Sequence, residues 1–444
     1  MVLTKLSKLA EFCNGKFNTD TDIVGISTDS RTVKDGELFV ALCGERFDGH
    51  EYIESALKNG AKAVLCSRAP SINCPYIIVP DTTAALQDIA KCYKMLFSVK
   101  TVAVTGSVGK TTTKEFVASV LGEKFNTLKN EGNLNNGIGV PKTILNLSCE
   151  HSAAVIEMGM NHFGEISVLT NIVKPDVAVI TNIGMSHIEY LGSREGILKA
   201  KLEILEGLNE NGVVILNGDE PLLRGINTSA KVIYVGVYNN DCDIKADNIK
   251  EYDTYTEFDI SGIRYFIPTL GIHNVYNALV AYAVGMVFNM TSDEIKKGLA
   301  DFKNVGMRQN TYKLGKHFII EDCYNASPDS MKAALKLLAS KNGKKIAVLG
   351  DMLELGEYTE QAHREIGKIA ASCCDTLICY GNYANYYKDG ALTSGLSNVI
   401  ILDTYKEIAD ILLKVNESSN ILFKGSRGMK LEEAISLFRE GMIK

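Results

Sequence analysis

Thr101-Val102-Ala103-Val104-Thr105 runs directly into Gly106-Ser107-Val108-Gly109-Lys110-Thr111-Thr112-Thr113, and this junction constrains the fold more than any other stretch. The first five residues are mostly β-branched and have the length of a buried strand. Two glycines follow, then a lysine and three threonines, then the helix-forming run Glu115 to Leu121. A strand, a Gly-rich loop and a helix opening on Lys-Thr make a cradle for phosphate. Loop N–H groups and the helix N-terminus face the anion, Lys110 reaches the β/γ oxygens, and the Thr111 hydroxyl can ligate Mg²⁺. The usual spacing puts a glycine five residues before Gly109, where this chain has Val104. The pattern is therefore a shortened variant, and a ligand-free strand-to-helix turn is its structural alternative.

The surrounding sequence suits such a unit. Strands alternate with helices from Val99: Ala153 to Glu157, Val177 to Thr181 and Val213 to Leu216 each follow a helical stretch, which predicts a mostly parallel sheet covered on both faces. Val232 to Val237, Phe258 to Ile260 and Arg264 to Ile267 are predicted to form an antiparallel edge. Helices follow at Asn274 to Phe288 and Ser292 to Phe302. Near Arg308 the alternation restarts with strands at 318–320, 346–349, 376–379, 399–402 and 421–423, a second doubly wound unit. Residues before Val99 mix short strands (37–42, 63–66, 76–79) with helices (50–59, 82–97). The prediction is α/β with three domains: a small N-terminal one over 1–98, a central P-loop domain with a mostly parallel sheet over 99–307, and a C-terminal Rossmann-like one over 308–444.

Composition removes several function classes. At 444 residues the chain exceeds one ordinary core. It is 46% hydrophobic and 23% charged, a globular balance, and its net charge of -6 lacks the basic footprint of a nucleic-acid binder. The 11 cysteines are scattered without a Cys-x-x-Cys pair, and Cys373, Cys374 and Cys379 fit no common zinc spacing, so free thiols in a reducing cytoplasm are expected. Lys5 and Lys8 interrupt Leu3, Leu6 and Leu9, which excludes a signal-peptide core, and no apolar run reaches transmembrane length.

Four further groups carry chemistry. Asn130 to Pro141 is rich in Asn and Gly, which serve either a polar ligand or a turn. Glu157 ends a buried strand, the edge that lines the ligand crevice in open α/β sheets, and stands where it can hold Mg²⁺. His187 follows the next strand end, at Thr181-Asn182-Ile183-Gly184, and is either structural or a metal or phosphate contact. Glu321 to Ser330 is another strand end running into a helix cap. Ser327 as N-cap and Pro328 at the first helical position explain themselves, whereas Asp322, Tyr324 and Asn325 are not needed for capping.

These residues together resemble the Mur ligases, ATP-dependent amide-forming enzymes of peptidoglycan synthesis. The family's ATP loop has the form Thr-Gly-Ser-x-Gly-Lys-Thr, matched by Thr105 to Thr111, which accounts for the short spacing. Matches continue through Asn133 to Pro141, Glu157-Met158-Gly159, Asn182-Ile183-Gly184 with His187, Ala200-Lys201, and Gly271-x-His273-Asn274-x-x-Asn277-Ala278. Arg308, Asp322 to Met331, and Leu349-Gly350-Asp351-Met352-x-Glu354-Leu355-Gly356 with His363 complete them. The last two blocks single out the branch whose substrates are UDP-N-acetylmuramoyl-tripeptide and D-alanyl-D-alanine.

The resemblance implies a UDP-binding first domain with Ser27, Asp29, Ser30, Arg31 and the stretch 35–48 as contacts, although from local pattern Ser27 to Arg31 reads as a capped turn. It implies ATP on Gly106, Ser107, Gly109, Lys110, Thr111 and Thr112, adenine near Asn274 and Asn277, and ribose and phosphates near Arg308 and Asp322. Two Mg²⁺ ions are implied, one on Thr111 and Glu157, the other on His187 and on Lys201, which is carbamylated in several members. Asn133, Asn136, Tyr324 and Asn325 would meet substrate, and Lys110, His187 and Lys201 would act in catalysis. A cytoplasmic monomer without nucleic-acid or membrane partners is expected. Two departures stand out: Ser327 replaces the family's Asn, and Phe163 stands where proline is common. The competing readings are a relative adding another amino acid, including a folate polyglutamate ligase, and a regulatory P-loop NTPase.

Overall fold

The computed structural model describes residues 3–44 and 47–443. Three main sheets organise it. The central one has nine strands, and the third in spatial order is the buried Lys100–Thr105, flanked by Ala153–Glu157 and Val177–Ile180, both parallel to it. The chain leaves this strand to one side, through Thr127–Lys129 and Ala153–Glu157, and then crosses to the other. That reversal opens a crevice at the carboxyl end of Lys100–Thr105, where the glycine loop lies.

Side chains alternate across the sheet as a two-residue period demands. Val102, Val104, Val155, Val177 and Val179 face one core, with the helices Lys110–Gly122, Ile272–Val287 and Ser292–Ala300 packed over it. Within that core Phe116 of the loop helix stacks on Phe302, ring centroids 3.6 Å apart. Ala103, Ala154, Ile156, Ala178 and Ile180 face the opposite side, against Glu165–Val173 and Thr82–Lys94 of the first domain.

The predicted antiparallel edge is corrected in its extent. Lys231–Gly236 pairs parallel to Val213–Asn217, and Ile244–Glu251, which sequence reading missed, continues parallel; only Thr256–Ile260 and Ile263–Ile267 run antiparallel. Ile244–Glu251 alternates in composition too weakly to mark it as a strand, since Lys, Asp, Asn and Glu dominate it.

The C-terminal sheet has six strands in the order Asn310–Leu314, His317–Asp322, Ser419–Lys424, Lys344–Gly350, Thr376–Tyr380 and Val399–Leu402. All pairs are parallel except the first hairpin, whose edge strand Asn310–Leu314 is an addition to the predicted set. The N-terminal sheet has five strands, and Gly25–Ser27 and Lys16–Phe17 are additions there. The predicted helix at 50–59 divides into a 3₁₀ turn Gly49–Tyr52 and the helix Ile53–Lys58. All eleven cysteines are free, and no described helix is long and apolar enough to cross a membrane.

His363, fully buried on Thr359–Ala371, ties the C-terminal domain together. The Met352 N–H donates to its Nε2 at 3.0 Å, so Nδ1 carries the proton and donates to the Thr359 carbonyl at 2.6 Å. Burial pushes this imidazole from 6.5 down to about 4. The native ring stays neutral where the unfolded ring is already charged, so stability present above pH 6.5 is lost as pH falls toward 4. Denaturant midpoints measured across that window should fall with pH in the wild type. His363→Gln, although less stable overall, should show a flatter fall; an unchanged slope would remove His363 as its cause.

Candidate active site

Gly106 and Gly109 shape the loop. A side chain at Gly106 would begin 1.8 Å from Thr181 Oγ1, so only glycine lets the loop turn against the neighbouring strand end. Gly109 has φ +83 and its Cα faces Asn277 Oδ1, the left-handed geometry that glycine takes without strain. Asn182 then fixes the loop tip, because its Oδ1 accepts from Val108 N–H at 3.0 Å and its Nδ2 donates to the Val108 carbonyl at 3.0 Å. Ser107 Oγ accepts from Gly184 N–H.

Lys110 opens the helix and folds back over this loop, donating to the carbonyls of Gly106 at 2.9 Å and Ser107 at 3.3 Å. Burial pulls its ammonium below the ordinary lysine range, opposed by the charge of Glu157. A phosphate oxygen would relieve that burial, since a paired cation is cheaper to bury than a lone one. Thr112 lines the same cleft.

Glu157 is 1% exposed and fully occupied. Thr111 Oγ1 donates to its Oε2 at 2.8 Å and Asn135 Nδ2 to its Oε1 at 2.8 Å, while its backbone N–H and carbonyl pair with the Asn130 side chain. Asn135 is thus the amide that holds the carboxylate, and Asn130 the one that holds the backbone of the same residue. Asn136 instead accepts from the N–H groups of Ile138 and Gly139, and both Asn133 and Asn136 line the cleft. The density of amides in the run was visible in the sequence; which of them turn inward was not.

The cleft, about 860 Å³, gathers residues of the central and C-terminal domains: Lys110, Thr111, Glu157, His187, Asn274, Asn277, Arg308, Asp322, Tyr324 and Asn325 all line it. Asn274 and Asn277 are buried and committed to each other, to Thr269 and to Thr113, so they brace the loop helix against Ile272–Val287. The Arg308 guanidinium lies 3.9 Å over the Tyr324 ring, a cation–π contact. Asp322 pairs at 2.5 Å with Lys424, which also donates to the Asn325 carbonyl and is 1% exposed. Lys424 was missed in sequence reading, yet a lysine ending the buried run Ile421-Leu422-Phe423 was its signal. Ser327 stands at the N-cap and Pro328 at the first helical turn, as predicted.

His187 adopts φ +63 and sits with Nδ1 2.8 Å from Glu354 Oε2, at ion-pair distance but outside hydrogen-bond alignment. Lys201 is 1% exposed, and no carboxylate or hydrogen-bond acceptor pairs with it among the described residues. Burial first, and the nearby Lys110 charge second, drive its amine well below the usual range. These donors fit divalent cations: an oxygen pair at Thr111 and Glu157, and at His187 an orphaned buried ring nitrogen beside a carboxylate.

Ser27, Asp29, Ser30 and Arg31 are not part of the cleft. Arg31 forks onto Asp29 with contacts of 2.9 and 2.7 Å, and Ser27 caps the same turn. Of the stretch 35–48, Glu45 and Arg46 lie outside the described residues. Nearby, Cys43, Asp48 and His50 cluster, but the Ser67 N–H donates to His50 Nε2, leaving the Nδ1 proton to bridge to Asp48 at 2.6 Å, and Arg68 pairs with the same carboxylate. That is a filled ion-pair network rather than a metal centre.

Loop, buried carboxylate and domain-spanning cleft define a phosphate-loop nucleotide enzyme whose C-terminal domain lines the nucleotide cleft with the central one. Three family models match in succession: the Mur ligase family catalytic domain at 22–103, the Mur ligase middle domain at 104–285, and the Mur ligase glutamate ligase domain at 307–427. The chain is 43% identical to the UDP-N-acetylmuramoyl-tripeptide–D-alanyl-D-alanine ligase of Bacillus subtilis over 98% of each chain. MurF from Acinetobacter baumannii superposes with a TM-score of 0.93 at 32% identity, covering 99% of this chain and 100% of that one. MurF ligase from Thermotoga maritima in complex with ADP gives 0.86 at 30% identity, covering 94% and 98%. The chain belongs to the Mur ligase family.

Asn135→Ala would leave Glu157 Oε1 without its donor. Nucleotide-dependent Mg²⁺ affinity, measured by titration calorimetry, should fall about 10–100-fold, the usual cost of losing a partner behind a metal ligand. Unchanged affinity would place the cation elsewhere.

Proposed function

We propose that the chain is an ATP-dependent, ADP-forming ligase that joins D-alanyl-D-alanine to UDP-N-acetylmuramoyl-tripeptide in the cytoplasm. The observation that carries this reading is one cleft holding a phosphate cradle, a buried Thr111–Glu157 pair and the C-terminal residues Arg308, Asp322 and Lys424. The near-full-length similarity to ligases of that name supports it. Residues 1–98 take the UDP moiety through Ser27, Asp29, Ser30 and Arg31, residues 99–307 take ATP, and residues 308–444 take the dipeptide.

The tripeptide's terminal carboxylate attacks the γ-phosphorus of ATP, the bond to the β-bridging oxygen breaks, and ADP leaves with an acyl phosphate formed. The dipeptide amine then adds to the acyl carbon, loses a proton, and phosphate departs as the amide forms. Two anions meet in the first step, so positive charge is the dominant need. Lys110 supplies it at the loop. Mg²⁺, held by Thr111 with Glu157 and by His187 with Lys201, would neutralise further phosphate charge when bound. Asn274 and Asn277 position the loop helix under the nucleotide, and Arg308 and Tyr324 offer a stacked platform beside Asp322. Closure by the C-terminal domain keeps water from the acyl phosphate.

Lys201 is suited to carbamylation. Burial favours the unprotonated amine, which adds to CO₂ and releases one proton, converting an unpaired buried lysine into a carboxylate that would serve the second cation.

Lys110→Ala should abolish the acyl phosphate trapped by borohydride reduction and lower turnover at least about 10³-fold; near wild-type trapping would refute the role. Protein equilibrated with ¹³C-bicarbonate should give a carbamate resonance that Lys201→Ala lacks. The same spectrum from both proteins would exclude the modification.

A further inference from the structure

Glu354 has no part in the sequence-derived site, yet it lines the cleft with Lys110 and His187. It belongs to the C-terminal domain, on the loop after Lys344–Gly350, while His187 belongs to the central domain, on the loop after Val177–Ile180. Both are non-glycine residues in the left-handed region, each at φ +63, a conformation that side chains adopt at a cost and that clusters at functional sites. Neighbouring contacts seat the two loops on one another: Gly356 packs on Glu189, the Tyr358 hydroxyl reaches the Gly192 carbonyl at 3.5 Å, and Asp329 abuts Gly184.

The geometry of the pair is informative. Nδ1 and Oε2 are 2.8 Å apart, but the buried ring nitrogen has no aligned hydrogen bond. Adjacent ligands on an octahedral Mg²⁺, with bonds of about 2.0–2.1 Å, stand about 2.9 Å apart. That spacing is common to an ion pair and to two ligands of one cation, and it is the missing hydrogen-bond alignment of the buried nitrogen that favours the shared cation.

We propose that Glu354 is a further ligand-side residue of the cation that His187 holds, contributed by the C-terminal domain. Cation binding and domain closure are then one equilibrium. The cation binds tightly only when the closing domain delivers Glu354, and that cation in turn favours the closed form by the same factor. Assembly of the reactive site is thereby tied to the arrival of the domain that carries the amine. This rests on His187 being a cation ligand, as assigned under the proposed function.

The test uses the full chain with a non-hydrolysable ATP analogue. Mn²⁺ binding is counted by electron paramagnetic resonance, and closure is followed by fluorescence transfer between dyes on the central and C-terminal domains. Glu354→Gln should weaken the second Mn²⁺ by about 10–100-fold, leave the first unchanged, and remove Mn²⁺-dependent closure. Glu354→Asn, which tolerates the left-handed backbone, should do the same if Glu354→Gln folds poorly. Wild-type second-site affinity in both variants, with loss in His187→Ala, would overturn the role of Glu354 and leave the function intact. Wild-type affinity in His187→Ala as well would overturn both the role of Glu354 and the assignment of His187 as a cation ligand.

Discussion

The site depends on one buried carboxylate. Glu157 is 1% exposed, a placement where a carboxylate costs several kcal/mol unless every oxygen is engaged. Thr111 takes one oxygen and Asn135 the other, and Asn130 fixes the backbone at the same residue. Those bonds tie the loop helix, the strand Ala153–Glu157 and the Asn-rich loop into one unit. Remove the carboxylate and the three elements lose their common anchor at the point where nucleotide chemistry would occur. Lys110 is in a similar position, since it lies half-buried over the loop carbonyls with Glu157 first and Glu354 second to oppose its desolvation.

From this anchor the remaining architecture follows outward. The sheet presents Thr105, Glu157 and Thr181 at adjacent strand ends because Lys100–Thr105 lies at the reversal of strand order. Asn274 and Asn277 hold the second covering helix to Thr113 and so fix the far side of the loop. The C-terminal domain brings Arg308, Asp322 and Lys424 to the same cleft, each placed by a strand end or by the linker before the first hairpin. None of these contacts is long-range in the electrostatic sense. They are short hydrogen bonds and ion pairs, partly shielded from water, where geometry decides their strength.

Legibility in the sequence tracked local determinism. The loop from Thr105 to Thr111 was readable because glycine, lysine and threonine each have a physical reason to stand there. Glu157 was readable from its place at the end of an apolar run, and the domain plan from alternating periodicities and family motifs. Pairing partners were not readable. Lys231–Gly236 looks the same in sequence whether its neighbour runs parallel or antiparallel, and the polar strand Ile244–Glu251 carries no alternation to mark it. Asn135 and Asn133 differ only in which way a loop turns. The His187–Glu354 contact joins residues far apart in the chain, and periodicity has nothing to say about such a meeting.

Nucleotide cleavage coupled to both partner substrates is the central claim, and ADP release measured across nucleotide-peptides with and without D-alanyl-D-alanine tests it most directly. Sustained ADP and phosphate release, one of each per amide formed, is predicted only when UDP-N-acetylmuramoyl-tripeptide and the dipeptide are both present. Steady release with neither substrate, or without amide product, would contradict it and leave a phosphate-loop hydrolase in its place.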